Sequence, residues 1–497
     1  MTEQEPSAET EVYAIHGAEP EVLAYAMARY SRSSLTLKES LREISAQRAE
    51  QFLNTFYFAY GHRSIADLAH IPFAIERLSL LAAISLVDEQ RWDGQERSTR
   101  YQDFRKSGWF TPRLGDPHGA EAHAYTEAIK ALFAAYDQVS LGMLEALKAS
   151  IPRPAEMKPD AYERTLKARA FDVARYLLPL ATNTSLGQIV NARTLETQVS
   201  RLLTSDFAEV RSLGDKLRLA ATEPAWNVDP AAKPVKTAPT LVKYAVANDY
   251  QRETRGLLAQ AASELMHGEA IAPAPVVDLI DGTDPLEVEL VTSLLYPNCH
   301  SSYRQLRDHV RALEAPRLAE LIALGTRERG RHDELLRAFH SGAALKFDIL
   351  MDIGGFRDMH RHRRCTQLLQ EFTDLHGFET PDAPSQPTLA AAGLEQTYET
   401  AMRAAFAAYE ALKSSGVAEA EQSAQYCLPL ATRCRSLFKM DFAEALYISE
   451  LRSGVAGHWS YRRVAWEMYE AVRRQHPALA GMFRIGDVNE PVDLLRR

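Results

Sequence analysis

The chain contains the same segment twice. Tyr176-Leu177-Leu178-Pro179-Leu180-Ala181-Thr182 recurs as Tyr426-Cys427-Leu428-Pro429-Leu430-Ala431-Thr432, with one mismatch in seven positions. Upstream, Val12-Tyr13-Ala14-Ile15-His16-Gly17 resembles Val277-Asp278-Leu279-Ile280-Asp281-Gly282, and each is followed by a proline and an acidic, helix-like stretch. Short apolar strands at Ile71–Ile75 and Leu345–Leu350 each lead into a helical stretch and then a charged motif. Three matches in one order point to a diverged tandem duplication. The period is far too long for a solenoid. Two homologous domains related by a pseudo-two-fold axis are the natural solution.

The prolines at 224, 230, 234 and 239 mark an extended connector. The expected layout is a first repeat over residues 1–222, a connector with a helix over 223–270, and a second repeat over 271–497. Amphipathic patterns predict helices over Ala120–Leu147, Ala161–Leu178, Leu241–Met266, Leu394–Leu412 and Tyr461–Arg474. Few, short strands among many helices give an α+β fold: two helix-rich domains with small sheets.

At 497 residues, with 46% hydrophobic and 25% charged residues, the composition is globular. No apolar run approaches the length of a membrane span. The acidic N-terminus does not read as a secretory signal. A net charge of −9 argues against duplex nucleic acid as a partner. The four cysteines, Cys299, Cys365, Cys427 and Cys434, lack CxxC spacing and read as inert core thiols of a reducing, cytoplasmic compartment.

Two charged motifs read as unequal halves of one site. Arg361-His362-Arg363 follows a helix expected to begin near Asp352. Its cations either complement a helix C-terminus or face an anion. His360 and His362 are two residues apart and diverge on a helix, so a metal site is not expected. The first repeat has Asp88-Glu89-Gln90 where the triplet stands, then a Gln95-Glu96-Arg97-Ser98-Thr99-Arg100-Tyr101 tail. After Gly94 this tail reads as a turn into a loop, either solvated or cradling phosphate through Ser98 and Arg100.

Together these motifs resemble the flavin-dependent thymidylate synthases. Gly61-His62-Arg63-Ser64, Ala174-Arg175-Tyr176-Leu177-Leu178-Pro179-Leu180, Asn191-Ala192-Arg193 and Leu451-Arg452 with His458-Trp459 match further family segments in order. The resemblance implies reductive methylation of dUMP to dTMP, with FAD as cofactor and with NADPH and methylenetetrahydrofolate as co-substrates. It also implies a nucleotide site shared between subunits. Carried over, the second repeat supplies Arg361 and Arg452, and the first supplies Ser98, Arg100 and Arg175. The related site has lost its anchors: Leu202 aligns with Arg452 and Gln425 with Arg175.

The implied roles are as follows. Arg452 faces the pyrimidine and favours its ionised form, the catalytic role. Glu96, Arg97, Ser98, Arg100, Arg175, Asp358 and Arg361 bind the nucleotide. Ser64, Glu96, Asn191, Ala192, Arg193, Arg361, His362 and Arg363 line the flavin. Asp358 departs from the amide or imidazole usual there, and leaves open another pyrimidine. A non-catalytic nucleotide or flavin binder and a helical scaffold are the competing classes. The family forms tetramers of single repeats, so a duplicated chain is expected to form a homodimer.

Overall fold

The computed structural model describes residues 13, 15, 17–31, 35–43, 63–242, 245–331, 333–381, 388–490 and 492–495. The matches at Val12–Gly17 and Gly61-His62 lie largely or wholly outside them. The chain divides into two compact units. The smaller takes Met1–Phe73, Gln188–Ser200 and Gly214–Val246, and the larger Ala74–Gly187, Arg201–Leu213 and Ala247–Arg497. The larger unit therefore holds residues from both halves of the sequence.

Within the larger unit the repeated heptapeptides meet each other. Pro179 lies opposite Pro429 in an antiparallel bridge. Proline has no N–H, and this pair sits where none is needed. The flanking residues exchange bonds reciprocally: Leu180 N donates to Leu428 O at 2.9 Å, and Leu430 N to Leu178 O at 2.9 Å. One step out, Ala181 N donates to Tyr426 O and Ala431 N to Tyr176 O, both at 3.1 Å. Equivalent atoms trade equivalent bonds, the signature of a local two-fold axis.

The symmetry extends to the helix starts. Leu80 N and Leu81 N donate to Thr182 O and Leu180 O, while Ile353 N and Gly354 N donate to Thr432 O and Leu430 O. Helix Leu80–Val87 is capped by Ser79, whose Oγ accepts from Ala82 N. Helix Ile353–Met359 is capped by Asp352, whose Oδ1 accepts from Gly355 N at 2.7 Å. Each cap satisfies one backbone donor that the first turn leaves free.

Two small sheets accompany the helices. One has strand order β1-β3-β2, with β1 at His70–Ser79, β2 at Asp93–Glu96 and β3 at Asn183–Asn191. The other is antiparallel with order β4-β5-β7-β6, where β4 is Val277–Leu279, β5 Leu345–Asp352, β6 Thr366–Leu369 and β7 Arg433–Met440. The expected strands at Ile71–Ile75 and Leu345–Leu350 are the cores of β1 and β5. Strand β7 was not expected, because Arg433, Arg435 and Lys439 obscure its pattern. Two of those charges are buried and paired: Arg435 Nη1 lies 2.9 Å from Asp348 Oδ2, and Lys439 Nζ 3.0 Å from Glu289 Oε1.

The amphipathic helices form at Ala120–Ser150, Pro159–Ala174, Glu395–Lys413 and Trp459–Gln475. Helix Pro159–Ala174 stops short of the expected Leu178, because the chain tightens into a 3₁₀ turn at Arg175–Leu177 before Pro179. The helix expected from Leu241 begins only at Asp249, where the Asn248 side chain caps it. Helices Ala120–Ser150 and Glu395–Lys413 are equivalent in the two repeats, and they pack on each other. All four cysteines are buried and free. Burial pushes the Cys299 thiol up to about 11 and that of Cys365 to about 12, so neither is a ready nucleophile.

Candidate active site

Arg175 opens the 3₁₀ turn and is 1% exposed. Its Nη1 donates to Asp358 Oδ2 at 3.1 Å, while its Nε and Nη2 have no partner. A buried guanidinium with two idle donors is an unusual cost, which a bound acceptor removes. Glycine at position 354 leaves the room: a Cβ there would stand 3.4 Å from Arg175 Nη2 and 3.2 Å from Asp352 Oδ1.

Asp358 is the hub. It lies 3.9 Å from Arg361 Nη2 on its other side. Burial pushes its carboxyl up, but Arg175, Arg361, Arg100 and Arg452 together bring it down to about 2. Thus arginines from both halves of the sequence surround one carboxylate. Positive charge exceeds negative there, so Asp358 stays ionised and does not neutralise the cluster.

Arg100 is almost fully engaged. Its Nε and Nη2 fork onto Asp172 at 2.7 and 3.2 Å, Nη1 donates to Tyr461 Oη at 2.7 Å, and Nη2 also donates to Ala456 O. The expected phosphate contact is thereby restricted, and the geometry makes Arg100 the residue that orients Tyr461. Arg452 sits over the same ring, its Cζ 5.6 Å from the centroid.

Arg452 Nε donates to His362 Nε2 at 2.8 Å. An accepting Nε2 requires a neutral ring protonated at Nδ1, which faces Glu444 at 3.6 Å. Burial, then Arg452, Arg363 and Arg361, bring the ring down to about 3. The sign follows: His362 stays neutral through pH 5–8, and its share of stability falls as pH drops from its unfolded value near 6.5 towards 3. Titrated by ¹⁵N NMR, the His362 ring shows no inflection between pH 5 and 8. An inflection near 6.5 overturns this hydrogen-bond assignment.

The other expected residues are placed differently. Arg363 rests over Trp92 at 4.4 Å, with its Nε buried and unpartnered. Glu96 pairs with Arg357. Arg97 turns back to Asp103 O and lies over Phe104, away from the cluster. Ser98 Oγ accepts from Arg100 N at 3.2 Å and supports the loop. Gly94 and Gln95 lie inside β2 and not in a turn. Gly94 is needed there because a Cβ would meet Gly187 O at 2.4 Å.

In the smaller unit, Ser64 is exposed, and Arg193 pairs with Asp67 at 3.2 Å. Asn191 Oδ1 accepts from Thr194 N at 2.8 Å and caps the following helix. Ala192 is fully buried, and its N–H is taken by Ala69 O, so its part is structural. Tyr461, Asp172, Trp92 and Arg357 were missed. None carries a motif, and only folding brings them to the cluster.

The related position in the larger unit is closed by its own pairs. Asp88 meets Arg337 Nη1 at 2.6 Å, Glu89 meets Arg201 Nη2 at 2.8 Å, and Gln425 donates to Glu371 at 2.8 Å. The repulsion that Asp88 and Glu89 would exert on an anion is therefore muted by Arg337 and Arg201. Both acids nonetheless occupy the guanidiniums that an anion would need.

The family model for thymidylate synthase complementing protein matches residues 14–218 and again 299–478. The chain belongs to that family. Two matches along one thymidylate synthase complementing chain bear out the duplication. A UPF0159 protein of Chlamydia pneumoniae is 28% identical over 511 residues, covering 96% of this chain and 92% of its own. A flavin-dependent thymidylate synthase of Clostridium tetani is 24% identical over 226 residues, covering 45% of this chain and 82% of its own. A solved flavin dependent thymidylate synthase of Helicobacter pylori, complexed with FAD and dUMP, is 16% identical, covers 46% of this chain and 96% of its own, and superposes with a TM-score of 0.26.

Proposed function

We propose that this chain is an FAD-dependent thymidylate synthase with one composite site, converting dUMP to dTMP with methylenetetrahydrofolate and NADPH. The observation that carries this reading is the buried Arg175, with two unpartnered donors, at the centre of an arginine cluster drawn from both repeats. A nucleotide supplies the missing acceptors. Arg361 and Arg175 are the candidates to hold its anionic end, with Asp358 beside them, and Ser98 is proposed to contribute its hydroxyl. Arg452 is the catalytic candidate. A fixed guanidinium facing the base stabilises negative charge that builds on the ring as C5 becomes nucleophilic. Neutral His362 and the Tyr461 ring hold that guanidinium in place.

The cationic Arg361–Arg363 turn suits the phosphates of FAD, and the buried, unpartnered Arg363 Nε is a donor such a group would use. Glu96 is proposed to complete that site. When bound, the flavin supplies the hydride it takes from NADPH. This chain's part is to orient the reactants and exclude water. A cytoplasmic homodimer is proposed with it. Among the described residues no helix is long and apolar enough to cross a membrane.

Asp358 favours a second reading, a related pyrimidine nucleotide. A carboxylate accepts hydrogen bonds and so suits a base that presents an amino group. The test is direct. The purified chain shows a visible flavin band and forms dTMP from dUMP. Turnover of a cytosine nucleotide in place of dUMP selects the second reading. A flavin band without turnover of either makes the chain a binder, and no band with no turnover ends the proposal.

A further inference from the structure

The decayed related site forms a partly open cavity of about 190 Å³. Its lining includes Gln425, which stands where Arg175 stands in the composite site, and Asp88, which stands for Arg361. The remainder is largely apolar and includes Phe207, Phe356 and Phe372. Flat rings pack well against aromatic side chains. Pockets for drug-sized ligands run to roughly 300–1,000 Å³, so this one holds about a single heterocycle.

The charges on the wall are already answered. Asp88 is paired with Arg337, and Arg201 with Glu89. A phosphate would find one cation, Arg201, already ion-paired, and the Asp88 carboxylate in the wall. Two polar atoms are unanswered: Arg201 Nη2, which has its charge balanced by Glu89 but makes no hydrogen bond, and an acceptor on His360. Gln367 Nε2 donates to His362 O at 2.6 Å, which turns its Oε1 towards His360 Nδ1 at 2.8 Å. Nδ1 therefore carries the proton and Nε2 the lone pair. That Nε2 has no partner, and its nearest charged neighbour, Asp88 Oδ1 at 3.6 Å, is itself an acceptor. His360 is 8% exposed and lines the cavity. Burial keeps the ring neutral, lowering it from its ordinary range.

We propose that this cavity is a second ligand site that takes a free, uncharged nucleobase and rejects flat anions. A ring N–H meets His360 Nε2, and the aromatic residues sandwich the ring. The inference is independent of the chemistry at the composite site. It gives the decayed half a binding role in place of the lost one.

The test uses the full chain with 5-fluorouracil followed by ¹⁹F NMR, hypoxanthine by saturation-transfer NMR, and benzoate as a flat anion of similar size. At least one base binds and benzoate does not. Ser85→Phe, which fills the cavity from its wall, abolishes the signal, and Arg175→Gln in the composite site retains it. His360→Phe keeps the ring volume, loses the acceptor, and weakens binding about tenfold, as one buried hydrogen bond should. This variant also serves if Ser85→Phe does not fold. Binding of neither base, equal binding of benzoate, or a signal lost in Arg175→Gln but kept in His360→Phe overturns the proposal.

Discussion

Arg452→Met lowers dTMP formation by about 10²–10³-fold, the usual loss when one preorganised donor to a developing charge is removed. The melting temperature changes little, because Arg452 is only partly buried and bonds one side chain, His362. The loss falls on kcat, since the ionised base exists only along the reaction path. The paired measurement is Gln425→Ala at the decayed site, which leaves turnover near wild type. Leu202, the aligned partner of Arg452, is a poor control. It is fully buried, and truncating it to alanine costs about 2–5 kcal/mol through a cavity. Equal loss in Arg452→Met and Gln425→Ala removes the single-site model.

Asp348→Ala destabilises the larger unit by about 3–5 kcal/mol, because it strands Arg435 in the core of the four-stranded sheet. Asp348 also accepts from Tyr296 Oη at 2.7 Å and from Tyr303 N at 2.8 Å. The double variant Asp348→Leu with Arg435→Met therefore recovers the charge penalty only. Each orphaned donor still costs about 1–3 kcal/mol. Urea denaturation of the wild type and these two variants measures this. A double variant no better than Asp348→Ala shows that Arg435 was never the burden.

The duplication was legible in the sequence because short motifs kept their order, and the meeting of Arg361 and Arg452 with Arg100 and Arg175 was implied by the family resemblance. The long amphipathic helices were legible from period alone, except where a proline or an Asn cap moved an end, whereas shorter ones such as Tyr303–Arg311 and Ala315–Leu324 were not. Strand β7 was not legible. Its cations read as solvent-facing, whereas Arg435 and Lys439 are buried against Asp348 and Glu289. The restriction of Arg100 was not legible either. Its partners Asp172 and Tyr461 lie far apart in the chain, on two different helices. Asp358 was legible as an oddity but not as the centre of four guanidiniums.

The exchanged bonds about Pro179 and Pro429 have an evolutionary consequence. In a homodimer every substitution is copied onto both sides of the axis, so a gain for one face is a loss for the other. Here both sides are encoded separately, and each can drift alone. Covalent linkage also holds the partners at an effective concentration on the order of millimolar. Dilution does not part them, and specialisation of one side need not loosen its grip on the other.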